Sequence, residues 1–332
     1  MDDKLIGKFW DTITQGGIGN LASPWQTKRQ GRANVDVKVD EMLMLAQAEK
    51  DVQDIKSGNK KFTKDRKLVN NTINTLEPSN DRIEPYFNLE NIIEASESRV
   101  ALDLVQEQIN LTKTILYTEH ELENNNQEGS EQEVDQDWFT RWRSCAEKVS
   151  SEELQKLWAK ALAGEIIAPG SYSLRTLEFI KNISLEEAND IDKLAPYAID
   201  NMVHKVDFLA EEGLDFNYLL GMEELGIING VQARGVQSPI GSIREGYFER
   251  VMVHNRKILL IKHDRVDKEL KYYFYKVTRL GREVLSLGVF PINEAYLEQI
   301  GFAIKNQGFQ VSLGDFEQEN EENGRYYNMR IL

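Results

Sequence analysis

Ser150 to Ser184, SSEELQKLWAKALAGEIIAPGSYSLRTLEFIKNIS, carries the densest set of ordering signals in the chain. Ser150 and Glu153 have the spacing of a capping box, in which a hydroxyl and a carboxylate satisfy the free amides at a helix start. Leu154, Leu157, Trp158, Ala161, Leu162, Glu165 and Ile166 recur at three and four residues. That period predicts an amphipathic helix, which Pro169 and Gly170 then end. Ser173 is placed to cap a second helix through Leu174, Leu177, Ile180 and Lys181, and Ser184 with Glu187 gives another capping box. Three short helices are expected to pack as one unit.

Upstream the chain also reads as helical. Leu5, Ile6, Phe9, Trp10 and Ile13 share one face of a short helix that carries Lys4 and Lys8. Such a face suits the protein core or an anionic membrane surface, and the shortness of the helix before Gly16, Gly17 and Gly19 favours the core. Val35, Val39, Met42, Leu45, Ala46, Val52 and Ile55 define a long amphipathic helix from about Thr27 to Ser57, and a second runs from Leu89 to Glu121. With few heptads, the pair predicts a helical hairpin or a short homo-oligomer contact.

Downstream the period changes. FNYLLGMEELGII (Phe216–Ile228) reads as an amphipathic helix, VMVHNRKILLIKHD and YYFYKVT as strands, and TRLGREVLSLG as a short closing helix. Helix, hairpin and a Thr-x-x-Gly helix follow in the order of a winged helix, over roughly Leu194 to Gly288. The expected fold is therefore mainly α: a helical amino-terminal and central region followed by a winged-helix-like α+β carboxyl-terminal domain. The expected divisions are 1–118 (helical), 119–137 (acidic linker or loop), 138–193 (central helical unit), 194–290 (winged-helix-like) and 291–332 (a small α/β extension).

A chain of 332 residues with 41% apolar side chains can build about two domains with sizeable cores. Cys145 stands alone, so a disulfide framework and a cysteine zinc site are both excluded; beside Trp142 it reads as an inert helix residue. The absence of a long apolar run or a signal peptide leads to the expectation of a cytoplasmic protein. The net charge of -15 argues against a uniformly basic nucleic-acid coat. Charge is nevertheless polarised. Thr118 to Asp137 holds eight acidic residues and no Lys or Arg, and a second acidic patch runs from Asp315 to Glu322. Ser242 to Arg282 holds eleven basic residues against five acidic ones. That basic segment has two readings: a solvated hairpin face, or partner of the acidic linker, on one side, and nucleic-acid contact on the other. The second would use Arg256, Lys257, Lys262 and Arg265 on phosphate, with Tyr272, Tyr273 or Phe274 as stacking platforms. Groove insertion is disfavoured, since the helix that would enter carries Glu223 and Glu224 and no Lys or Arg.

Motifs of catalysis and cofactor binding do not occur: there is no GxxxxGK, no GxGxxG after a strand, no HExxH and no GxSxG. Of the four histidines, His120, His204, His254 and His263, the last two lie nine residues apart without paired carboxylates and read as surface residues. Lys160, Glu165, Arg175 and Glu178 form the one polar set of interest in the central unit, either lining a pocket or bridging helices. No cofactor or metal is expected from these patterns, although a hydrolase with scattered Asp and Glu ligands needs no fixed spacing.

The run LWAKALAGEI, then PGSYSLRTLEFIKNIS, resembles the hallmark of an uncharacterised bacterial family known only as a domain of unknown function, and more distantly the abortive-infection alpha family. GIGNLASPWQTKRQGRA near the start and YKVTRLGREVL near the end look similar to that family too, and the acidic insert departs from it. The resemblance implies a bacterial or prophage protein with a part in phage defence and brings no catalytic residues with it. Three functions are expected to compete. The first is a non-enzymatic sensor or effector that binds a phage protein or nucleic acid, with peripheral membrane contact as its variant. The others are a winged-helix transcriptional or prophage regulator on DNA and a cryptic metal-dependent hydrolase.

Overall fold

The computed structural model describes residues 3–18, 34–62, 67–70, 89–125, 129–254, 256–291, 293–318 and 324–332. Residues 19–33, which hold most of the GIGNLASPWQTKRQGRA run and the expected start of the Thr27 helix, lie outside them, as does the end of the second acidic patch. The chain forms two compact units, Met1–Leu177 and Glu178–Leu332.

Unit one is helical, with one small sheet. Helices α1 (Asp3–Ile13), α2 (Asn34–Lys56), α3 (Leu89–Glu123), α4 (Gln136–Ala146) and α5 (Glu152–Ile167) are joined by a two-stranded ribbon of β1 (Lys60–Phe62) and β2 (Leu68–Asn70). The apolar face of α1 is turned inward: Leu5, Phe9, Trp10 and Ile13 are all buried. α3 lies along α5. The ring nitrogens of two buried tryptophans set the frame, with Trp138 Nε1 donating to the Tyr172 carbonyl at 2.7 Å and Trp142 Nε1 to that of Trp158 at 2.9 Å. α5 begins at Glu152 with Ser151 as its cap residue, and Ser151 Oγ faces Glu153 Oε2 at 3.3 Å instead of closing the expected Ser150–Glu153 box. Carboxylates of Glu152 and Glu153 in the first turn still favour the positive end of the helix dipole.

Helix α6 (Leu174–Asn182) follows the Pro-Gly break, and Ser173 Oγ accepts from the Thr176 amide at 3.4 Å. α7 (Leu185–Leu194) starts with the expected box: Glu187 N donates to Ser184 Oγ at 3.2 Å while Ser184 N donates to Glu187 Oε2 at 2.7 Å.

Unit two overturns the mainly α expectation. The described residues are 53% helix and 21% strand, a mixed α+β fold. Strands β3 (Ala198–Ile199), β4 (Met202–His204), β5 (Ile228–Asn229), β6 (Val236–Ile240) and β9 (Leu270–Val277) form one antiparallel sheet, in which β9 pairs with β4, β5 and β6. β7 (Phe248–His254), β8 (Lys257–His263), β10 (Gln310–Gln318) and β11 (Gly324–Ile331) form a second, in the order β11-β10-β8-β7. Helices α8 (Phe208–Glu211), α9 (Phe216–Glu224), α10 (Arg279–Leu285) and α11 (Glu294–Lys305) complete the unit. Both sheets contribute to one core with α9 and α11, including Leu219, Met222, Leu259, Ile261, Phe274, Leu297 and Ile300.

The winged-helix order fails at the hairpin. VMVHNRKILLIKHD closes on itself as β7–β8, and YYFYKVT joins the other sheet. β8 cannot be half of a solvated wing, because Ile258, Leu259, Leu260 and Ile261 are all buried, so both of its faces are covered. A strand apolar on both faces belongs in the middle of a sheet, and β10 supplies the second neighbour, in register from Gln310↔Lys262 to Asp315↔Lys257. The closing helix forms as expected, with Thr278 Oγ1 accepting from Gly281 N at 2.9 Å. Gly281 has no alternative there, since a Cβ would stand 2.1 Å from the Ile227 carbonyl oxygen.

Candidate functional site

The basic segment is largely neutralised within the fold. Lys257 Nζ lies 2.9 Å from Glu294 and 3.0 Å from Asp315, and both carboxylates hold its pKa above the ordinary lysine value. Lys262 and Arg244 converge on buried Glu249, at 3.4 and 3.0 Å, and Arg265 makes a two-pronged contact with Asp267 at 3.1 and 2.9 Å. Of the four expected phosphate ligands, Arg256 alone is exposed with no carboxylate partner among the described residues. Tyr272 and Phe274 are buried and only Tyr273 presents its ring to solvent. Glu223 faces neither groove nor solvent: its carboxylate accepts from the amides of Gly230, Val231 and Gln232 at 2.5, 2.9 and 3.1 Å and so fixes the turn after β5.

Of the polar set in the central unit, Lys160 and Glu165 lie on α5 and Arg175 and Glu178 on α6. Glu165 is buried and its two oxygens accept from Gly170 N at 2.6 Å and Tyr172 N at 3.0 Å, holding the Pro-Gly turn. Lys160 is half-buried on α5, Arg175 is exposed on α6, and Glu178 sits near Lys181 one turn on, at 3.6 Å. Lys8, which sequence reading placed on a membrane-facing or core helix, donates to the carbonyls of Ser130 and Ile166, both at 2.7 Å. It thereby satisfies an orphan carbonyl at the end of α5. Burial lowers its pKa, against the raising effect of the Glu165 charge. Cys145 is buried on α4.

His254 and His263, expected at the surface, are both half-buried. The hairpin register pairs His254 with Lys257 at one end and His263 with Phe248 at the other, so the two lie about 20 Å apart, at ~3.3 Å per residue. His263 Nδ1 accepts from Arg265 N at 3.0 Å. His204 is buried beside Tyr272, with ring centroids 5.1 Å apart, and its carbonyl accepts from Tyr296 OH at 2.9 Å. Desolvation brings the His204 pKa down to about 4. Its position in the short alternating run MVH was the signal available for its burial. Among the described residues no group of three or more His, Cys, Asp or Glu could hold a metal ion, and no helix is long and apolar enough to cross a membrane.

Two surface features of unit two stand out. The first is a row across the second sheet, Val251↔Leu260↔Ser312↔Ile331, on the face opposite the shared core. Val251 is 42% and Ile331 84% exposed. At the next row Glu249↔Lys262↔Gln310, two cations meet one carboxylate. The second is a cleft of about 460 Å³ that contains Asn201, His254, Arg282 and Ser286, with Val277 and Phe290 among its apolar walls.

Residues 94–211 match the family described as Protein of unknown function (DUF2806). The matched region runs from within α3 to α8 and includes the Ser150–Ser184 stretch; GIGNLASPWQTKRQGRA and YKVTRLGREVL lie outside it. No curated protein and no solved structure matches the chain.

Proposed function

We propose that the chain is a non-enzymatic binding protein whose carboxyl-terminal sheet docks a protein partner through an apolar surface. The observation that carries this reading is the exposed pair Val251 and Ile331, at the two ends of the row Val251–Leu260–Ser312–Ile331 whose Leu260 is buried. A sheet presenting exposed Val and Ile in one cross-strand row, beside exposed Tyr247 and Tyr326, offers the apolar and aromatic composition typical of the core of an interface. The cations nearby largely face carboxylates within the fold, so apolar contact carries the docking.

The same pairing of charges weakens the DNA-regulator reading, because three of the four cations assigned to phosphate already face carboxylates. The distant resemblance of LWAKALAGEI and PGSYSLRTLEFIKNIS to the abortive-infection alpha family makes a phage protein the first partner to seek. The experiment is capture of partners from infected and uninfected bacteria on the wild type, on Val251→Asp/Ile331→Asp and on Arg256→Glu/Lys257→Glu. The reading expects a protein retained by the wild type and the second variant and lost from the first. Identical capture by all three, or retention of nucleic acid that only the second variant abolishes, refutes it.

A further inference from the structure

Arg282 is set apart from its basic neighbours. Arg244, Lys257, Lys262, Arg265 and Arg279 each face a carboxylate at 3.4 Å or less. Arg282, on the last turn of α10, has none among the described residues; its one side-chain contact is a long 3.5 Å approach of Nη1 to the Val277 carbonyl. Most of its guanidinium donors therefore remain to be used, and they line a cleft. His254 also lines that cleft, and its Nε2 is buried with no hydrogen-bond partner among the described residues. A buried polar atom left unpaired costs free energy that a bound group returns. The pocket volume of about 460 Å³ falls in the range of small-molecule sites.

We propose that this cleft binds a small amphipathic carboxylate, with Arg282 as counterion, His254 Nε2 and Asn201 as hydrogen-bonding groups, and Val277, Leu285 and Phe290 as the wall for its apolar body. One guanidinium balances one negative charge, which selects a carboxylate over a doubly charged phosphate, and the planar fork matches its two oxygens. Burial lowers the His254 pKa, and the guanidinium of Arg282 supplies the positive charge of the cleft. The left-handed turn at Asp200 and Asn201, φ 48° and 63°, holds the Asn201 side chain at the rim. This site is separate from the outward sheet row and independent of the partner proposed for it.

The test uses the full chain and three probes: benzoate, its neutral isostere benzyl alcohol, and inorganic phosphate. Titration calorimetry and ligand-observed NMR are expected to give saturable benzoate binding near ~1 mM, which asks about 0.45 kcal/mol of each of its nine non-hydrogen atoms, between the values of drug-sized and of the best small ligands. Arg282→Gln is expected to weaken it about tenfold, ~1.4 kcal/mol, with Arg282→Lys in between and the melting temperature unchanged because Arg282 is exposed. Benzyl alcohol binding as tightly as benzoate, phosphate binding more tightly, benzoate binding indifferent to Arg282→Gln, or no saturation up to about 10 mM would each overturn the assignment.

Discussion

Replacing His204 with Leu should remove a specific part of the acid sensitivity of unit two. The unfolded chain takes up a proton on this imidazole near pH 6.5, whereas the folded protein, which buries the ring against Tyr272 and Phe274, takes it up only near 4. Between those values the unfolded state binds more protons, so stability is full above pH 6.5 and is lost as the pH falls toward 4. The difference of about 2.5 pH units is worth about 3 kcal/mol in total, of which roughly 2.5 kcal/mol is gone by pH 4.5. Asp200, whose pKa burial raises, acts in the opposite sense, so the wild-type curve cannot be read alone and the comparison with the variant isolates His204. The assay is urea unfolding at pH 7.5 and 4.5 followed by hydrogen exchange in β4 and β9. All five tryptophans lie between Trp10 and Trp158, so their fluorescence reports unit one and should show no difference between the proteins. The reasoning is refuted if His204→Leu loses as much stability as the wild type over that interval, within about 0.5 kcal/mol, the usual limit for additivity.

Gly281→Ala pushes a methyl group to 2.1 Å from the Ile227 carbonyl and should cost about 1–3 kcal/mol by overpacking, seen as a lower urea midpoint with an unchanged slope. Glu165→Ala strips two amides in the Pro-Gly turn of their acceptor; about 2–4 kcal/mol is expected, at ~1–3 kcal/mol per unsatisfied group after relaxation, with faster hydrogen exchange at Gly170 and Tyr172 as its local signature. Lys257→Gln breaks contacts to Glu294 and Asp315 at a partly exposed site, so its thermal unfolding should change by less than about 1 kcal/mol. If Lys257 were instead a principal phosphate ligand, the same variant would reduce the salt dependence of nucleic-acid binding by about one unit, which filter binding across a salt series would reveal.

Local signals carried the helical elements well. Ser184 with Glu187, and Thr278 three residues before Gly281, specify their caps through contacts no more than three residues away, and both form. The Ser150 box failed because the helix starts one residue later, at Glu152, with Ser151 as its cap residue and no side-chain hydrogen bond to the helix amides. Sheet membership depended on distant partners. ILLI was readable as a strand, but its unbroken apolar run already meant two covered faces, whereas a solvated wing would alternate; the partner that covers its second edge, β10, lies far downstream. Arg256, Lys257, Lys262 and Arg265 were legible as a cluster of positive charge, but the pairing of Lys257 was not, because Glu294 and Asp315 come from elements outside the segment, and Lys262 meets Glu249 through the hairpin register. Glu165 looked like a pocket residue by composition, while its job, accepting from backbone amides, has no sequence spacing to announce it.

The central place of β8 also sets a hazard during synthesis. β7 is available to it at once across a tight turn, but β10 begins about fifty residues later. At ~5–20 residues per second the ribosome needs roughly 3–10 s to deliver that neighbour. Throughout this interval the growing chain displays Ile258, Leu259, Leu260 and Ile261 beside an unfilled edge, the kind of segment that seeds intermolecular pairing. Chains cut short between β8 and β10 should therefore aggregate and call on chaperones, and slowing translation over that stretch should lower the yield of soluble protein more than slowing it anywhere upstream of β7.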